Sequence, residues 1–161
     1  MKILVMSDSH GRSDGMRKAI RREAPLDAII HLGDLQGGEH LLPGLAKCPV
    51  YMVAGNCDYP SDILPREQII VLGGRRMLLT HGDRYSVSWD TEELLLRAME
   101  EGCTAALFGH THRPFLSGVE EDVMLLNPGS IAYPRQEDRQ RSYMVLETGP
   151  DGQFQVALRY L

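Results

Sequence analysis

The chain has 161 residues, of which 43% are hydrophobic and 24% charged, and its formal net charge is −5. This length and composition suit one globular domain with a sizeable core, so we expect a single domain over residues 1–161. The negative charge gives no sign of a nucleic-acid surface, and the apolar runs are too short for a secretion signal or a membrane span, so we expect a soluble cytoplasmic protein without a membrane partner.

Apolar and helix-forming runs predict an alternation of strands and helices that gives way to strands in the second half. In chain order we expect strand 2–6, helix 13–24, strand 28–32, helix 38–47, strand 50–54, strands 69–72 and 75–80, helix 90–101, and strands 105–108, 123–126, 143–147 and 153–161. Pro25 should end the first helix, and Pro43 lies inside the second. For the third helix we expect Asp90 as the N-cap, Glu93 as its capping-box partner and Gly102 at the end.

The order of these elements predicts two β-sheets of mixed direction. The first half reads β-α-β-α-β, which is typical of parallel strands joined by helices. Gly73-Gly74 and Pro150-Asp151-Gly152 separate later strands by short turns, which predicts antiparallel hairpins. We therefore expect an α/β fold in which two mixed sheets pack face to face with helices outside.

Polar side chains follow most of the predicted strands, at the edge where open α/β sheets bind ligands. Any one of them alone is most simply a turn residue or a surface histidine. Together they include four of the six histidines, and residues two apart on an extended chain point to the same side. The candidates are Asp8, His10, Asp34, Asn56, His81, His110 and His112.

These seven donors are all oxygen or nitrogen, which indicates metal binding. They are too many for one tetrahedral zinc ion but suit two divalent ions that share a bridging carboxylate. Mixed histidine and carboxylate donors fit Mn²⁺, Fe or Zn²⁺, and the residues do not choose among them. We take Mn²⁺ as the working choice, with Ni²⁺, Fe or Zn²⁺ as alternatives. Two divalent ions would leave the site roughly +2 beside its two carboxylates, a charge suited to a phosphate ester, and a metal pair can clamp phosphoryl oxygens.

Five ordered motifs resemble those of the calcineurin-like metallophosphoesterases. They are Asp8-x-His10, Gly33-Asp34, Gly55-Asn56-x-Asp58, Thr80-His81-Gly82 and Gly109-His110-Thr111-His112, and the resemblance runs from residue 3 to about residue 130. The short length and the segment from Asn127 to Ser130 resemble the small phosphodiesterase branch. The resemblance implies a four-layer αββα sandwich of two mixed β-sheets flanked by helices, with a dinuclear metal site at its edge.

The resemblance also assigns roles to individual residues. It implies that one ion binds Asp8, His10 and His112, that the other binds Asn56, His81 and His110, and that Asp34 bridges them. Asp58 would lie beside the site, and a hydroxide held between the ions would attack phosphorus. The residues thus expected to support catalysis are Asp34, Asn56, Asp58 and His81. The expected substrate is a small-molecule phosphate ester.

Cys57 stands where many members of the superfamily have a histidine that is thought to protonate the leaving oxygen. The thiol could be a nucleophile, a soft metal ligand, or a small residue that replaces the acid. We favour the last interpretation, since no motif supplies a base beside Cys57. Loss of a general acid would penalise esters with poor leaving groups.

Other residues have less definite interpretations. Arg12, Arg84 and Arg113 are candidates for phosphate contact or plain surface residues, and Tyr85 is a candidate for the pocket wall. We expect His31 to be packed in the core, His40 to lie on the surface, Cys48 and Cys103 to be small buried residues, and Trp89 with residues 94–96 to form core or an interaction patch.

The competing hypothesis is a scaffold that keeps the fold without turnover, which is what the resemblance to the retromer subunit of similar fold would imply. The retention of all seven donors favours the enzyme. The sequence leaves self-association open.

Overall fold

The computed structural model describes residues 1–58, 63–120, 122–149 and 154–161. Its elements are β1 (Lys2–Met6), α1 (Ser13–Glu23), β2 (Ala28–His31), α2 (Gly38–Leu45), β3 (Val50–Met52), β4 (Glu67–Leu72), β5 (Arg75–Thr80), α3 (Glu92–Glu100), β6 (Ala105–Leu107), β7 (Pro114–Glu120), β8 (Val123–Pro128), β9 (Ser142–Thr148) and β10 (Phe154–Tyr160). A single 3₁₀ turn, Asp83–Tyr85, follows β5. Within the described residues, no helix is long and apolar enough to cross a membrane.

The strands form two five-stranded sheets of mixed direction, which confirms the predicted fold class. The first has the order β10-β9-β1-β2-β3 and the second β4-β5-β6-β8-β7. In each sheet three neighbouring strands are parallel, β1 to β3 in one and β5, β6 and β8 in the other. The predicted hairpin at Gly73-Gly74 is present, with β4 antiparallel to β5. Strands β9 and β10 also pair antiparallel, whereas the turn predicted between them falls outside the described residues.

Each sheet is apolar on both faces, because the two sheets cover each other and helices cover their outer faces. Residues such as Val5, Ile30 and Leu107 form the cluster between the sheets. Leu4 and Ile29 point the other way, toward α1 and α2, and the outer face of the second sheet packs against α3. The result is the four-layer αββα sandwich that the sequence led us to expect.

The predicted start of α3 is wrong by two residues. The helix begins at Glu92 with Thr91 as N-cap, and no side chain caps its amides. Asp90 lies one residue too early to be the cap, and its Oδ1 instead accepts a hydrogen bond from the amide of Glu92 at 3.1 Å. The predicted capping box with Glu93 is therefore absent. Gly102 does end the helix, with φ +63° and its amide donating to the carbonyl of Met99.

Strand β7 has no counterpart among the sequence predictions. Its sequence, PFLSGVE, begins with proline and contains Ser117-Gly118, which hides the period of a strand. The pairing with β8 shifts register between Leu116 and Val119, as a bulge does. An edge position in the sheet tolerates both features. Elsewhere β2, β3 and β6 end one or two residues before the predicted bounds, and α2 ends at Leu45 rather than at residue 47.

Packing between the two sheets should dominate stability. Leu107 is fully buried there, whereas Leu116 on β7 is 54% exposed. In the presence of a chelator, Leu107→Ala should lower the free energy of unfolding by about 2–5 kcal/mol, because it leaves a cavity. Leu116→Ala should change it by roughly 0.5 kcal/mol or less. Urea unfolding measures both, and equal losses would contradict the assigned core.

Candidate metal centre

The seven candidate donors follow five parallel strands that end at one edge of the sandwich. Asp8 and His10 follow β1, Asp34 follows β2 and Asn56 follows β3 in the first sheet. In the second sheet His81 follows β5, and His110 and His112 follow β6. Backbone hydrogen bonds tie these loops together. The amides of Asp8, His10 and Gly109 donate to the carbonyls of Gly33, Asp34 and His81 at 3.1, 2.8 and 2.9 Å.

Five of the seven donors adopt a left-handed backbone conformation. Their φ angles are 55° at Asp8, 44° at His10, 56° at Asp34, 67° at His110 and 58° at His112. Side chains make this region unfavourable, at about 1–3 kcal/mol for each residue, and such residues cluster at functional sites. Each sharp turn lies just after a strand and directs its side chain to the shared edge.

One set of donors is compact enough to hold an ion. Asp8, His10, Asp34 and His112 each offer an atom, and these atoms all lie within 4.8 Å of one another. Nε2 of His112 is 3.1 Å from Oδ1 of Asp8 and 3.3 Å from Nε2 of His10. Nε2 of His10 is 3.6 Å from Oδ2 of Asp34.

The remaining three donors are linked to Asp34 through His81. Nε2 of His81 is 3.5 Å from the same Oδ2 of Asp34 that faces His10. The rings of His81 and His110 have centroids 5.3 Å apart, and Nδ1 of His110 is 3.0 Å from Oδ1 of Asn56. The structure therefore brings all seven candidates together, with Asp34 in the middle.

Outer hydrogen bonds fix which ring nitrogen three of the histidines present. Nδ1 of His81 lies 2.7 Å from the carbonyl of Leu32, and Nδ1 of His112 lies 2.6 Å from the carbonyl of Tyr133. Nδ1 of His10 lies 2.9 Å from Oε1 of Gln36. Because these oxygens only accept, each Nδ1 carries a proton, and the neutral form of each ring presents Nε2 as the ligand atom, a common arrangement at metal sites.

Buried polar atoms without partners mark the place for a cation. Asp8 is completely buried, yet among the described residues neither of its carboxylate oxygens finds a hydrogen-bond donor, and Nε2 of His81 has no hydrogen-bond partner either. Burial opposes ionisation of Asp8, but His112 and His81 outweigh it and hold the pKa of Asp8 below its usual value. An unpaired buried carboxylate is costly. The oxygen and nitrogen donors present fit a divalent ion such as Mn²⁺, Fe²⁺ or Zn²⁺.

The charges around Asp34 and His81 also favour a bound cation. Burial would raise the pKa of Asp34, but contact with His81 and the Cys57 amide holds it well below its usual range. Burial would lower the pKa of His81, yet Asp34 and Asp8 raise it to about 9. Two ionised carboxylates thus favour positive charge at the centre of the site.

Asp58 braces the site from outside the donor set. Its Oδ1 accepts from the amide of Gln36 at 2.7 Å, and its Oδ2 accepts from the amide of Gly55 at 2.9 Å. The carboxylate therefore joins the loop that carries Asp34 to the loop that carries Asn56. Both oxygens of Asp58 are used in these two hydrogen bonds, and its predicted role at the site stays a prediction.

The surroundings of Cys57 do not suit a nucleophile. The amide of Cys57 donates to Oδ1 of Asp34 at 2.8 Å, and its sulfur accepts from Nδ2 of Asn56 at 3.3 Å. Burial and the charge of Asp34 raise the pKa of the thiol to about 11. A thiol that keeps its proton is a poor nucleophile. The side chain is exposed beside Asn56.

The other candidate residues fall into three groups. Arg84 lines a cavity of about 390 Å³ beside Asn56, and Arg113 lines one of about 580 Å³ that opens near Thr111. The Arg12 guanidinium stacks on Tyr133, 4.7 Å from the ring centroid. The Tyr85 hydroxyl donates to Glu67, so Tyr85 braces the turn after β5.

The remaining predictions concern packing. His31 is buried in β2, where neither ring nitrogen has a hydrogen-bond partner in the described part of the chain, and burial lowers its pKa to about 4. His40 is exposed, Cys103 is buried and Cys48 is partly buried. Trp89 is 90% exposed, which excludes a core role, whereas Leu94 is buried.

Sequence reasoning missed several residues around the donors. Gln36 and the carbonyls of Leu32 and Tyr133 orient the histidines, and Arg66, Arg135 and Arg139 line cavities beside the site. A backbone carbonyl carries no sequence signal. The arginines lie outside every motif, so only a search for basic residues in the loops could have found them.

The fold consists of two mixed sheets with helices outside, and oxygen and nitrogen donors that suit a metal ion lie at one edge. This combination points to a class of metal-binding α/β proteins. Residues 1–151 match the family model of the calcineurin-like phosphoesterase superfamily domain, and the chain belongs to this superfamily. A probable metallophosphoesterase of Bacillus subtilis is 36% identical over 149 residues, which cover 91% of this chain and 83% of the relative. A phosphodiesterase of Methanocaldococcus jannaschii is 27% identical over 151 residues, which cover 80% and 83%.

Solved structures share the fold over nearly the whole chain. A conserved protein of Streptococcus pneumoniae, described as a predicted phosphoesterase, has a TM-score of 0.83 at 30% identity and covers 99% of this chain and 88% of its own. Vps29 of Entamoeba histolytica, crystallised in complex with zinc, has a TM-score of 0.76 at 25% identity and covers 99% of both chains.

Metal binding should stabilise the fold through Asp8. At an ion concentration 100 times its dissociation constant, binding adds about 2.7 kcal/mol, roughly 5–10 °C in melting temperature for a chain of this size. We expect the melting temperature of the wild type to rise by this amount when Mn²⁺ replaces the chelator, and that of Asp8→Asn to rise much less. Thermal unfolding followed by circular dichroism measures it.

Asp90→Asn is the matched control, since Asp90 is exposed and an asparagine retains its acceptor oxygen. This variant should gain as much as the wild type. A full gain in Asp8→Asn would exclude Asp8 from the metal site.

Proposed function

We propose that the protein is a metal-dependent phosphodiesterase that hydrolyses small-molecule phosphate diesters with two divalent ions, Mn²⁺ being our choice. One observation carries the proposal. Oδ2 of Asp34 faces Nε2 of His10 at 3.6 Å on one side and Nε2 of His81 at 3.5 Å on the other. A carboxylate oxygen between two histidines of different sheets suits a bridge between two ions.

The chain contributes positioning and charge to this reaction. When bound, two ions would supply a nucleophile derived from water at neutral pH and would offset the charge of the phosphoryl oxygens. Asp8, His10 and His112 would hold one ion, and Asn56, His81 and His110 would hold the other. The hydrogen bonds to Nδ1 of the histidines keep their Nε2 atoms aimed inward, and Asp58 keeps the Asp34 and Asn56 loops in register.

The identity of residue 57 favours phosphate diesters with good leaving groups as the substrates. Cys57 is exposed beside Asn56, and its thiol is a weak proton donor at neutral pH. Without a stronger acid here, esters whose leaving groups depart as stable anions should react fastest. The M. jannaschii relative named as a phosphodiesterase supports the same substrate class.

A metal-binding scaffold is the second candidate. The likeness to Vps29, which is known in complex with zinc, favours it, because a metal site on this fold also occurs in a vacuolar sorting protein. The complete donor set and the greater likeness to a probable metallophosphoesterase favour the enzyme. Turnover distinguishes the two.

We also propose that the chain acts as one domain in the cytoplasm. All three cysteines are free, which agrees with a reducing compartment. The cellular location and self-association stay predictions.

Chelation tests the proposed activity directly. Thoroughly metal-free protein should lose hydrolysis of bis(p-nitrophenyl) phosphate, and added Mn²⁺ should restore it, because the described residues around the donors offer no other nucleophile and base pair. Full turnover by metal-free protein would refute the mechanism. Zero turnover in protein loaded with each candidate metal would favour the scaffold.

Removing the bridging charge should affect both ions. Wild-type protein should bind two Mn²⁺ ions per chain, Asp34→Asn should weaken both sites, and His10→Ala should mainly weaken one. Equilibrium dialysis with elemental analysis measures the stoichiometry. A single site in the wild type, or full activity in Asp34→Asn, would overturn the bridging role.

Cys57→His should add the missing proton donor. Imidazole has an unperturbed pKa of about 6.5, which suits general-acid catalysis near neutrality. We expect at least about a tenfold rise in kcat/KM on alkyl esters, with little gain on activated aryl diesters, at unchanged metal content.

Cys57→Ala is the matched control and should keep most of the wild-type activity on aryl diesters. A loss of several orders of magnitude in this variant would restore a direct role for the thiol. An equal change on both ester classes in Cys57→His would mean that residue 57 does not face the leaving group.

A further inference from the structure

A cationic cavity opens directly beside the first set of donors. Its volume is about 680 Å³, and its walls include the candidate ligands His10 and His112 together with Tyr133, Arg135 and Arg139. A molecule bound at the donors through one phosphate would therefore extend into this cavity. No carboxylate is among the residues that line it.

The two arginines of this cavity make no ion pair with any acidic residue that the structure describes. Within the described parts of the chain, no carboxylate lies within ion-pair distance of Arg135 or Arg139, whereas Arg97 and Arg141 are both paired with acidic residues. The chain has 22 acidic and 17 basic residues, so it contains enough carboxylates to pair with every arginine. Their guanidinium groups remain available for an anion.

Hydrogen bonds to backbone carbonyls fix this loop relative to the donors. The amide of Arg135 donates to the carbonyl of His112 at 3.0 Å, and Nε of Arg113 donates to the carbonyl of Arg135 at 3.3 Å. Nη1 of Arg139 donates to the carbonyl of Pro134 at 3.3 Å. The arginines are thus attached to the strand end that carries His112.

The opposite side of the site differs in charge and size. The cavity beside Asn56 has a volume of about 390 Å³ and is lined by Arg66, Arg84 and Asp83, so a carboxylate offsets part of its charge. Cys57, which we place at the leaving group, is the neighbour of Asn56. The leaving group therefore belongs on this side, and the part of the ester that stays on phosphorus belongs on the side of Arg135 and Arg139.

We propose that Arg135 and Arg139 bind a second phosphate, carried by the part of the diester that is retained after hydrolysis. The substrate class is then a diester whose product is a bisphosphate. The hydrolytic part of this proposal rests on the phosphodiesterase function, whereas the binding of the second phosphate does not.

A binding experiment tests the subsite without turnover. The probes are thymidine 3′,5′-bisphosphate and thymidine 5′-phosphate, which differ by one phosphate, titrated calorimetrically into Mn²⁺-loaded protein. Wild type should bind the bisphosphate at least about tenfold more tightly, as expected for one charge-assisted hydrogen bond. The double variant R135Q/R139Q should lose most of this preference, and each single variant should lose part of it.

Two control variants separate this subsite from general charge effects. Arg84→Gln removes a cation from the opposite cavity and should keep the preference for the bisphosphate. Arg159→Gln removes an exposed cation on β10, away from the cavity, and should behave as the wild type. Equal wild-type affinity for the two probes, or an unchanged preference in the double variant, would overturn the proposal.

A kinetic comparison then links the subsite to hydrolysis. The p-nitrophenyl ester of thymidine 5′-phosphate is compared with its 3′-phosphorylated form, so the leaving group is identical and only the retained part differs. The wild type should show a higher kcat/KM for the 3′-phosphorylated ester, and R135Q/R139Q should not. Tighter bisphosphate binding without hydrolysis of either ester would support the subsite and refute the phosphodiesterase, whereas hydrolysis of both esters with no preference would refute the subsite alone.

Discussion

The arrangement of the site depends on how closely the ends of β2 and β3 approach each other at Asp34. A Cβ atom on Gly55 would lie 2.1 Å from Oδ1 of Asp34 and 2.5 Å from its amide nitrogen, so only glycine fits there. The same Oδ1 accepts from the Cys57 amide at 2.8 Å, which leaves Oδ2 aimed between His10 and His81. One carboxylate oxygen is thereby fixed to the backbone and the other is presented to both sheets.

The sandwich architecture supplies the rest of the geometry. Parallel strands in both sheets end at the same edge, so short loops bring donors from distant parts of the chain together. Five donors adopt strained left-handed conformations, and the buried core between the sheets holds them there. The strain and the unpartnered Asp8 carboxylate both make the metal-free site costly, and a bound cation would satisfy the carboxylate.

The fold and the grouping of the candidate donors could be predicted from the sequence because both leave local signals. Apolar runs ending in Asp-x-His or Gly-His-x-His mark a strand and its donors in a few adjacent residues. Strand β7 has no such signal, since Pro114 and Ser117-Gly118 conceal it. The start of α3 was misplaced because Asp90 and Thr91 are both good N-caps, and only the backbone decides between them.

The surroundings of the site could not be predicted, since they depend on contacts between segments that are distant in sequence. The orienting partner of His112 is the carbonyl of Tyr133, and the chemical type of residue 133 does not alter that carbonyl. Arg135 and Arg139 lie in a loop that looks like ordinary surface, with Glu137 and Asp138 between them. Only the structure shows that these arginines line a cavity together with His10 and His112.

Anomalous X-ray diffraction from a crystal of the Mn²⁺-loaded protein, collected at the manganese edge, tests the central claim most directly. The account predicts two anomalous peaks roughly 3.5–4 Å apart, with the Asp34 carboxylate between them. One peak should lie among Asp8, His10 and His112, and the other among Asn56, His81 and His110. A single peak at full occupancy, or two peaks that Asp34 does not join, would contradict it.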